Sequence, residues 1–420
     1  KPQRLAATDL DSFTIQTQLS TEVAYLSLFT IGMVRYAADD WDGAITRFTH
    51  ALKQTAEGVP ALDQSIIYRK RGVAWVAKGD YTRAIADYDQ AIKFTPADSV
   101  AYTSRGAAYY IKGDPDRAIA DFDRAIQLKP NDYLPYYDRG LAHRAKGNLE
   151  LAIVDFDRAI QLKPDDPFPY LYRGLAYHAK GDYERAIADF DQAIKLKPGY
   201  ADAYNGRGDA YNKKRDLDQA IADFSRAIDL DPKSGLGYHN RGVVHSDKGN
   251  LDQAIADYTK AIDLDPKDAY AYNNRSNAYR KKGNLDQALT DLNKAIELNP
   301  KYGTAYLHRG IAYFDKGKLD QAIADYTKAI ELDPKDDFAY NNRGNAYREK
   351  GKFDQALTDL NKATELNPEL DAAYENRGLV YRQQGLKSQA IAEFGTYLRL
   401  SPNASDRAHV QQWLRELKGQ

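Results

Sequence analysis

A 34-residue period constrains this chain more than any other feature. The run Ala-Tyr-Asn-Asn-Arg-Gly-Asn-Ala-Tyr-Arg at Ala339 occurs almost unchanged at Ala271, 68 residues earlier, and looser copies recur every 34 residues from Ser65 to Ala404. Ten segments fill that span without insertion or deletion. A period of this length is typical of stacked repeats, in which each unit packs only on its neighbours. The sequence therefore predicts a repeat array, whose function depends on the surface that the repeats share.

Each segment has the pattern of two helices joined by a short turn. In 337–370, apolar residues recur at helical spacing from Phe338 to Tyr347, stop at Gly351 and resume from Phe353 to Leu366. Glycine at this turn suits a left-handed residue that ends the first helix, and only Arg215 replaces it in the ten repeats. A proline near the end of every segment stops the second helix. The predicted fold class is all-α, an α-solenoid of antiparallel helix pairs.

The residues at fixed offsets identify a family resemblance. They are, in 201–234, Tyr204, Gly208, Tyr211, Ala220, Phe224, Ala227 and Pro232. This pattern resembles the tetratricopeptide repeat, and its tandem copies suggest an array of about eleven repeats of bacterial type. The resemblance implies a right-handed superhelix whose concave groove is lined by first helices. One difference is an arginine where leucine is common in the family, for example at Arg207.

The ends of the chain are less regular than its middle. We expect a linker at 1–20, a divergent repeat with its exit loop at 21–64, ten regular repeats at 65–404 and a capping helix at 405–420. The cap is predicted because an unpaired last repeat would expose its apolar face. Since the chain opens at Lys1, we expect an excised domain or a processed product, with the native N-terminus missing.

Composition excludes several classes of function. The 59 basic and 60 acidic residues are spread evenly, which gives no basic field for nucleic acid. The chain has no cysteine, so disulfides and zinc-thiolate sites are ruled out. No stretch predicts a membrane span, and no catalytic motif or metal-binding His-Glu-x-x-His pattern occurs. We therefore expect no enzyme activity, no cofactor and no metal site.

An arginine and an acid recur at two fixed positions of the repeat. We number positions 1 to 34 from the start of each segment, so that Ser65 and Ser99 each hold position 1. Position 7 is arginine and position 23 is acidic in all ten repeats, as at Arg309 and Asp325. Because one lies on the first helix and the other on the second, we predict a ladder of arginine–carboxylate pairs between first and second helices, within or across repeats.

Positions 2, 5, 9 and 12 fall on one side of the first helix, because spacings of three and four share a helix face. The resemblance places that side in the concave groove. In the early repeats these positions are apolar and predict a partly exposed strip for an amphipathic helix or hydrophobic peptide. Its candidate contact residues are Val100, Tyr110, Leu134, Tyr137, Leu141, Phe168, Leu171 and Leu175.

From the fifth repeat onward the same face is rich in amides. Asparagine is a poor helix former, yet it recurs here, and it can pair with both the N–H and the C=O of an extended chain. In the tetratricopeptide family, asparagine at position 6 commonly bonds the backbone of a bound peptide. The candidate polar contact residues are Asn205, Asp209, Asn212, His239, Asn240, Asn273, Asn274, Asn277, Arg280, Asn341, Asn342, Asn345, Arg348 and Asn376.

The sequence thus predicts a non-enzymatic scaffold that binds a protein or peptide partner in the groove. A sensor or regulatory domain of a larger bacterial signalling protein is an alternative, as is self-association through the apolar strip. The family's clamp for C-terminal carboxylates needs lysine at position 5, which no repeat carries. A cytoplasmic location is favoured, and the partner's identity is left open.

Overall fold

The computed structural model describes residues 21–54 and 60–419, and 23 helices and no strands lie in this part of the chain. The predicted linker at 1–20 lies outside it. In the divergent repeat, α1 is Thr21–Ala37 and α2 is Trp41–Gln54. The regular repeats and the C-terminal helix follow as α3 Ala61–Ala77, α4 Tyr81–Phe94, α5 Ser99–Ile111, α6 Pro115–Leu128, α7 Tyr133–Ala145, α8 Leu149–Leu162, α9 Pro167–Ala179, α10 Tyr183–Leu196, α11 Ala201–Lys213, α12 Leu217–Leu230, α13 Gly235–Asp247, α14 Leu251–Leu264, α15 Ala269–Lys281, α16 Leu285–Leu298, α17 Gly303–Asp315, α18 Leu319–Leu332, α19 Asp337–Glu349, α20 Phe353–Leu366, α21 Asp371–Gln383, α22 Lys387–Leu400 and α23 Arg407–Lys418.

The helices group into two compact units, Lys1–Lys214 and Arg215–Gln420. Within each unit every helix packs on the next one along the chain, so the all-helical solenoid is confirmed. Odd-numbered helices up to α21 are first helices of a repeat, and even-numbered ones are second helices. Each second helix of the regular repeats ends two residues before its proline, as α4 does at Phe94 before Pro96.

Close approach of the two helices depends on position 8. A Cβ added to Gly106 would lie 2.7 Å from the ring of Phe122 on α6, and one added to Gly310 would lie 2.5 Å from that of Tyr326 on α18. These rings are buried at the centre of each helix pair. Small residues at position 8 therefore let a large side chain of the second helix fill the core.

The predicted arginine ladder is confirmed. Arg309 Nε and Nη2 donate to Asp325 Oδ2 and Oδ1 at 2.8 and 2.7 Å, and the carboxylate is buried. The same bidentate pairing recurs in seven other repeats, and Arg377 makes a single bond to Glu393. The seven pairs are Arg71–Asp87, Arg105–Asp121, Arg139–Asp155, Arg173–Asp189, Arg241–Asp257, Arg275–Asp291 and Arg343–Asp359.

The third nitrogen of each ladder arginine reaches the second helix of the preceding repeat. Arg173 Nη1 donates to Asp157 Oδ1 at 2.5 Å, whereas Arg309 Nη1 donates to Asn293 Oδ1 at 2.8 Å. From Arg105 to Arg207 in the first unit the acceptor is an aspartate, and from Arg241 onward in the second it is Ser, Thr or Asn. One guanidinium thus ties together two helices of its own repeat and one of its neighbour.

Candidate functional site

Position 2 carries exposed apolar side chains on the first helices of both units. In the first unit Val100, Leu134 and Phe168 are 41 to 42% exposed. In the second unit Leu236, Tyr270 and Phe338 are more exposed still, and Phe338 reaches 54%. The sequence reading assigned an apolar strip to the early repeats alone. In the second unit, polar residues at positions 5 and 9 make the face look polar in the sequence, although position 2 stays apolar. The apolar residues at position 2 are the signal that predicts the continuation of the strip.

Position 5 lies in a seam between adjacent first helices, where it meets position 6 of the next repeat. In the first unit Tyr137 and Tyr172 form such a pair, with ring centroids 5.8 Å apart. In the second unit the seam is joined by His308 Nδ1 to Asn273 Oδ1 at 2.9 Å, Asn376 Nδ2 to Asn341 Oδ1 at 3.0 Å, and Asn274 Nδ2 to His239 Nε2 at 3.3 Å.

The seam corrects part of the candidate list. Leu171 is 2% exposed, and Asn273 and Asn341 are equally enclosed, because the neighbouring first helix covers them. Spacing along one helix shows which residues share a face, but it does not show how closely the next helix lies against that face. These three side chains lie between first helices and offer a partner no open surface.

The other apolar candidates of the first unit are half-buried. Tyr110 packs against the core around Phe122, and Leu175 packs against the core around Phe190. Tyr137 lies tilted on Phe156, and Leu141 is similarly half-buried. Only the position 2 residues of this group stand clear of the surface.

Polar residues close the far end of the first unit. His178 Nε2 lies 3.0 Å from Asp209 Oδ2. Asn205 and Asn212 each hold a buried side-chain oxygen that accepts no hydrogen bond. Buried amide oxygens without a donor are rare in proteins, and because these two are closed to solvent they offer a partner no acceptor in this conformation.

The two copies of the Asn-Asn-Arg cluster differ in their contacts. Arg280 pairs with Asp315 of the next repeat at 3.0 Å. Arg348 instead donates to Asn345 Oδ1 at 2.8 and 3.1 Å and pairs with Glu349. The difference has two sources. Gln383 stands beyond Arg348 where Asp315 stands beyond Arg280, and Glu349 follows Arg348 where Lys281 follows Arg280.

Two open depressions lie along the second unit. One of about 390 Å³ is lined by Leu236, His239, Asn240, Asp268 and Tyr270. A smaller one of about 140 Å³ includes Asn274 and Asn277. The remaining amide candidate, Asn342, is half-buried beside Asn341.

Burial alters the pKa of several groups on this face. Loss of hydration, with a smaller effect of Arg280, lowers the pKa of His308 to about 4, so the ring is neutral. The hydrogen bond from His239 lowers the pKa of Asp268. In the first unit, burial raises the pKa of Asp138 to about 7. Asp138 holds position 6 and was missed by the sequence reading, which considered that position only where it carries asparagine.

Family models match most of the array. The model described as TPR repeat matches 72–113, 140–181, 276–317, 310–348 and 344–385. Models described as Tetratricopeptide repeat match 99–132, 171–235, 236–268, 257–290 and 371–404. The chain belongs to the tetratricopeptide repeat family. A comparison with curated proteins gives no match.

Solved tetratricopeptide structures match between 60% and 98% of the chain at low identity. The Cut9–Hcn1 hetero-tetramer of APC/C matches with a TM-score of 0.55 and 16% identity, covering 98% of each chain. Yeast Tom70 matches with a TM-score of 0.48 and 18% identity, covering 94% of this chain and 95% of its own. A tetratricopeptide repeat protein from Parabacteroides merdae gives 0.49 and 19%, covering 60% of this chain and 99% of its own. At 16% identity, the match to the Cut9–Hcn1 structure shows similarity of fold and nothing further.

The described ranges contain neither a membrane-spanning helix nor a metal-binding cluster. No helix there is both long and apolar enough to cross a bilayer. Likewise, no three His, Asp or Glu side chains of the described residues converge as metal ligands would.

Proposed function

We propose that this protein is a non-enzymatic scaffold that binds a segment of a protein partner. The segment would lie along the first-helix face, which is the surface formed by positions 2, 5, 6, 9 and 12 of the first helices. Family membership supports an interaction module. The observation that carries the proposal is the row of exposed apolar side chains at position 2. Monomeric proteins seldom expose apolar side chains in series, and such rows commonly mark interaction sites.

The surroundings of that row suit an extended or helical segment. Apolar side chains of the partner would cover Val100, Leu134 and Phe168 in the first unit. In the second unit Asn240 and Asn277 line open depressions and can each donate and accept a bond. Apolar contacts would supply affinity, while the amides would pair with the backbone of many sequences.

The experiment compares three purified proteins as bait in lysate of the source organism. The test variant carries Val100→Ser, Leu134→Ser and Phe168→Ser. The control carries Leu151→Arg and Val154→Ala on α8, where two exposed apolar residues are replaced by those that other repeats hold at the same positions. Partners recovered by wild type are identified by mass spectrometry, mapped to a segment with tiled peptides and titrated by calorimetry.

We expect the test variant to bind the mapped segment roughly tenfold or more weakly, since each truncated contact that matters costs about 1 kcal/mol or more. The control variant should bind like wild type. Equal affinity of wild type and test variant would contradict binding on this face.

A further inference from the structure

Asp138 is a carboxylate of the first-helix face with no partner among the residues that the structure describes. It lies on α7 at position 6, where other repeats place side chains that bond across the seam. Its neighbour across the seam by this register is Thr103, whose hydroxyl donates to the backbone oxygen of Ser99 at 2.9 Å. Within residues 21–54 and 60–419, no group forms a hydrogen bond or an ion pair with Asp138, and loss of hydration raises its pKa to about 7.

The charged and titratable groups of α5, α7 and α9 have other partners. Arg144, on the same helix, lies over the ring of Tyr172 at 5.3 Å. His143 lies 3.9 Å from Asp155, and His178 pairs with Asp209. Arg105, Arg139 and Arg173 pair with aspartates of α4, α6, α8 and α10; the pairs are Arg105–Asp121, Arg105–Asp89, Arg139–Asp155, Arg139–Asp123, Arg173–Asp189 and Arg173–Asp157.

The residues around Asp138 favour a cation with an apolar stem. Leu134 and Leu141 lie one turn before and after it on the same face of α7. Tyr137 is close enough for the Asp138 charge to raise its pKa further, after burial and the neighbouring Tyr172. Tyrosine rings attract cations, as the position of Arg144 over Tyr172 illustrates.

We propose that Asp138 is the anchor for a lysine or arginine side chain of the partner segment, flanked in that segment by apolar residues. The inference rests on the proposed function and adds the partner's chemistry. A half-buried carboxylate without a counter-ion is unfavourable, and a cation of the partner would remove that penalty on binding. An acidic or purely apolar segment would leave it in place.

The pairing has a defined pH dependence. The anchor is charged above its pKa of about 7 and protonated below it. A bound cation stabilises the charged form, so binding releases a proton at low pH and weakens as pH falls. Preference for a cationic segment should therefore be strong at about pH 8 and lost towards about pH 5.5.

The test uses fluorescein-labelled peptides of alternating leucine and serine with one central lysine, norleucine or glutamate. Each is titrated by anisotropy into the full chain, into Asp138→Asn and into the matched control Asp202→Asn. Asp202 is an exposed carboxylate of the same unit at position 2. Melting curves of the variants confirm that each is folded.

At about pH 8 we expect the lysine peptide to bind wild type and Asp202→Asn at least tenfold more tightly than the norleucine peptide. Asp138→Asn should bind both peptides alike. Lysine preference that persists in Asp138→Asn would overturn the anchor, and so would its absence in wild type. If lysine and norleucine peptides bind wild type equally well, the proposal for Asp138 is wrong, whereas the proposed scaffold function is not contradicted. Failure of every peptide to bind would also overturn the proposal for Asp138. The proposed scaffold function would then be tested only by the partner captured from lysate.

Discussion

At the scale of single residues, the turn between the two helices shows how a local conformation selects an amino acid. Nine turn glycines have φ between 69° and 84°, and Arg215 has φ of 64° in the same position. The left-handed turn predicted from glycine spacing is thus confirmed, including at the one arginine. An L-residue in this region is strained because its Cβ approaches the following carbonyl.

Replacing Arg215 by glycine should therefore stabilise the protein or leave its stability unchanged. The relief of left-handed strain is worth about 1 kcal/mol. The ion pair lost with Asp247 is long, at 3.3 Å, and exposed, so it contributes little. Thermal melting followed by circular dichroism measures the change.

The matched control is Gly249→Ala, which introduces the same strain at φ of 80° where a Cβ would meet no atom within 4 Å. It should lower the melting temperature. A clear loss of stability in Arg215→Gly would mean that its side chain has a structural role beyond this pair.

At the scale of helices, the arginine ladder fixes how each helix pair sits on the one before it. Its carboxylates are buried, and hydrogen bonds to Asp325 raise the pKa of Arg309, so the guanidinium stays charged. A parallel set of lysine–acid pairs, such as Lys316 with Asp286, links neighbouring repeats on the exposed side. Only the buried set should matter for stability, because water screens the exposed one.

A substitution series at Arg309 tests this difference. Arg309→Met leaves Asp325 buried without its partner and should cost about 3 kcal/mol. The double variant Arg309→Met with Asp325→Leu should recover most of that loss, because neither charge remains. The free energy of unfolding in urea gives both values.

Lys316→Met serves as the control in the same repeat and should cause no measurable change. A single variant at Arg309 as stable as wild type would show that the ladder contributes little to stability.

At the scale of the whole molecule, a repeat array must close its ends. Helix α23 does so at the C-terminus, where Val410 is fully buried and the Trp413 ring lies 5.5 Å from that of Phe394 on α22. Leu414 and Leu417 pack on the same core. Without this helix, the apolar face of α22 would meet water.

Deletion of residues 405–420 should therefore induce self-association. We expect the weight-average mass from light scattering at two concentrations to rise with concentration for the truncated protein and to stay constant for the full chain. Gln412→Ser, on the exposed side of α23, is the control and should behave like the full chain. A truncated protein of constant mass would show that α22 tolerates exposure, whereas a rising mass of the full chain would favour the apolar strip as a self-association site.

The sequence by itself determined the helix pairs, their turns and the ladder. These features depend on residues at fixed offsets, and a strict period of 34 repeats the same local chemistry in each unit. The left-handed turn at Arg215 follows from helix geometry within one repeat. The same offsets predict the arginine–acid ladder, whereas the structure shows that each pair lies within one repeat, as Arg309 and Asp325 do.

Only the tertiary structure decided which side chains of the first-helix face are open. Leu171 and Asn273 share a helix face with exposed neighbours, yet the next first helix covers them. Arg280 and Arg348 stand in nearly identical segments but bond differently, in part because Asp315 follows one and Gln383 the other in the next repeat. Contacts between repeats depend on two segments at once, so a pattern read along one of them cannot specify the surface they form together.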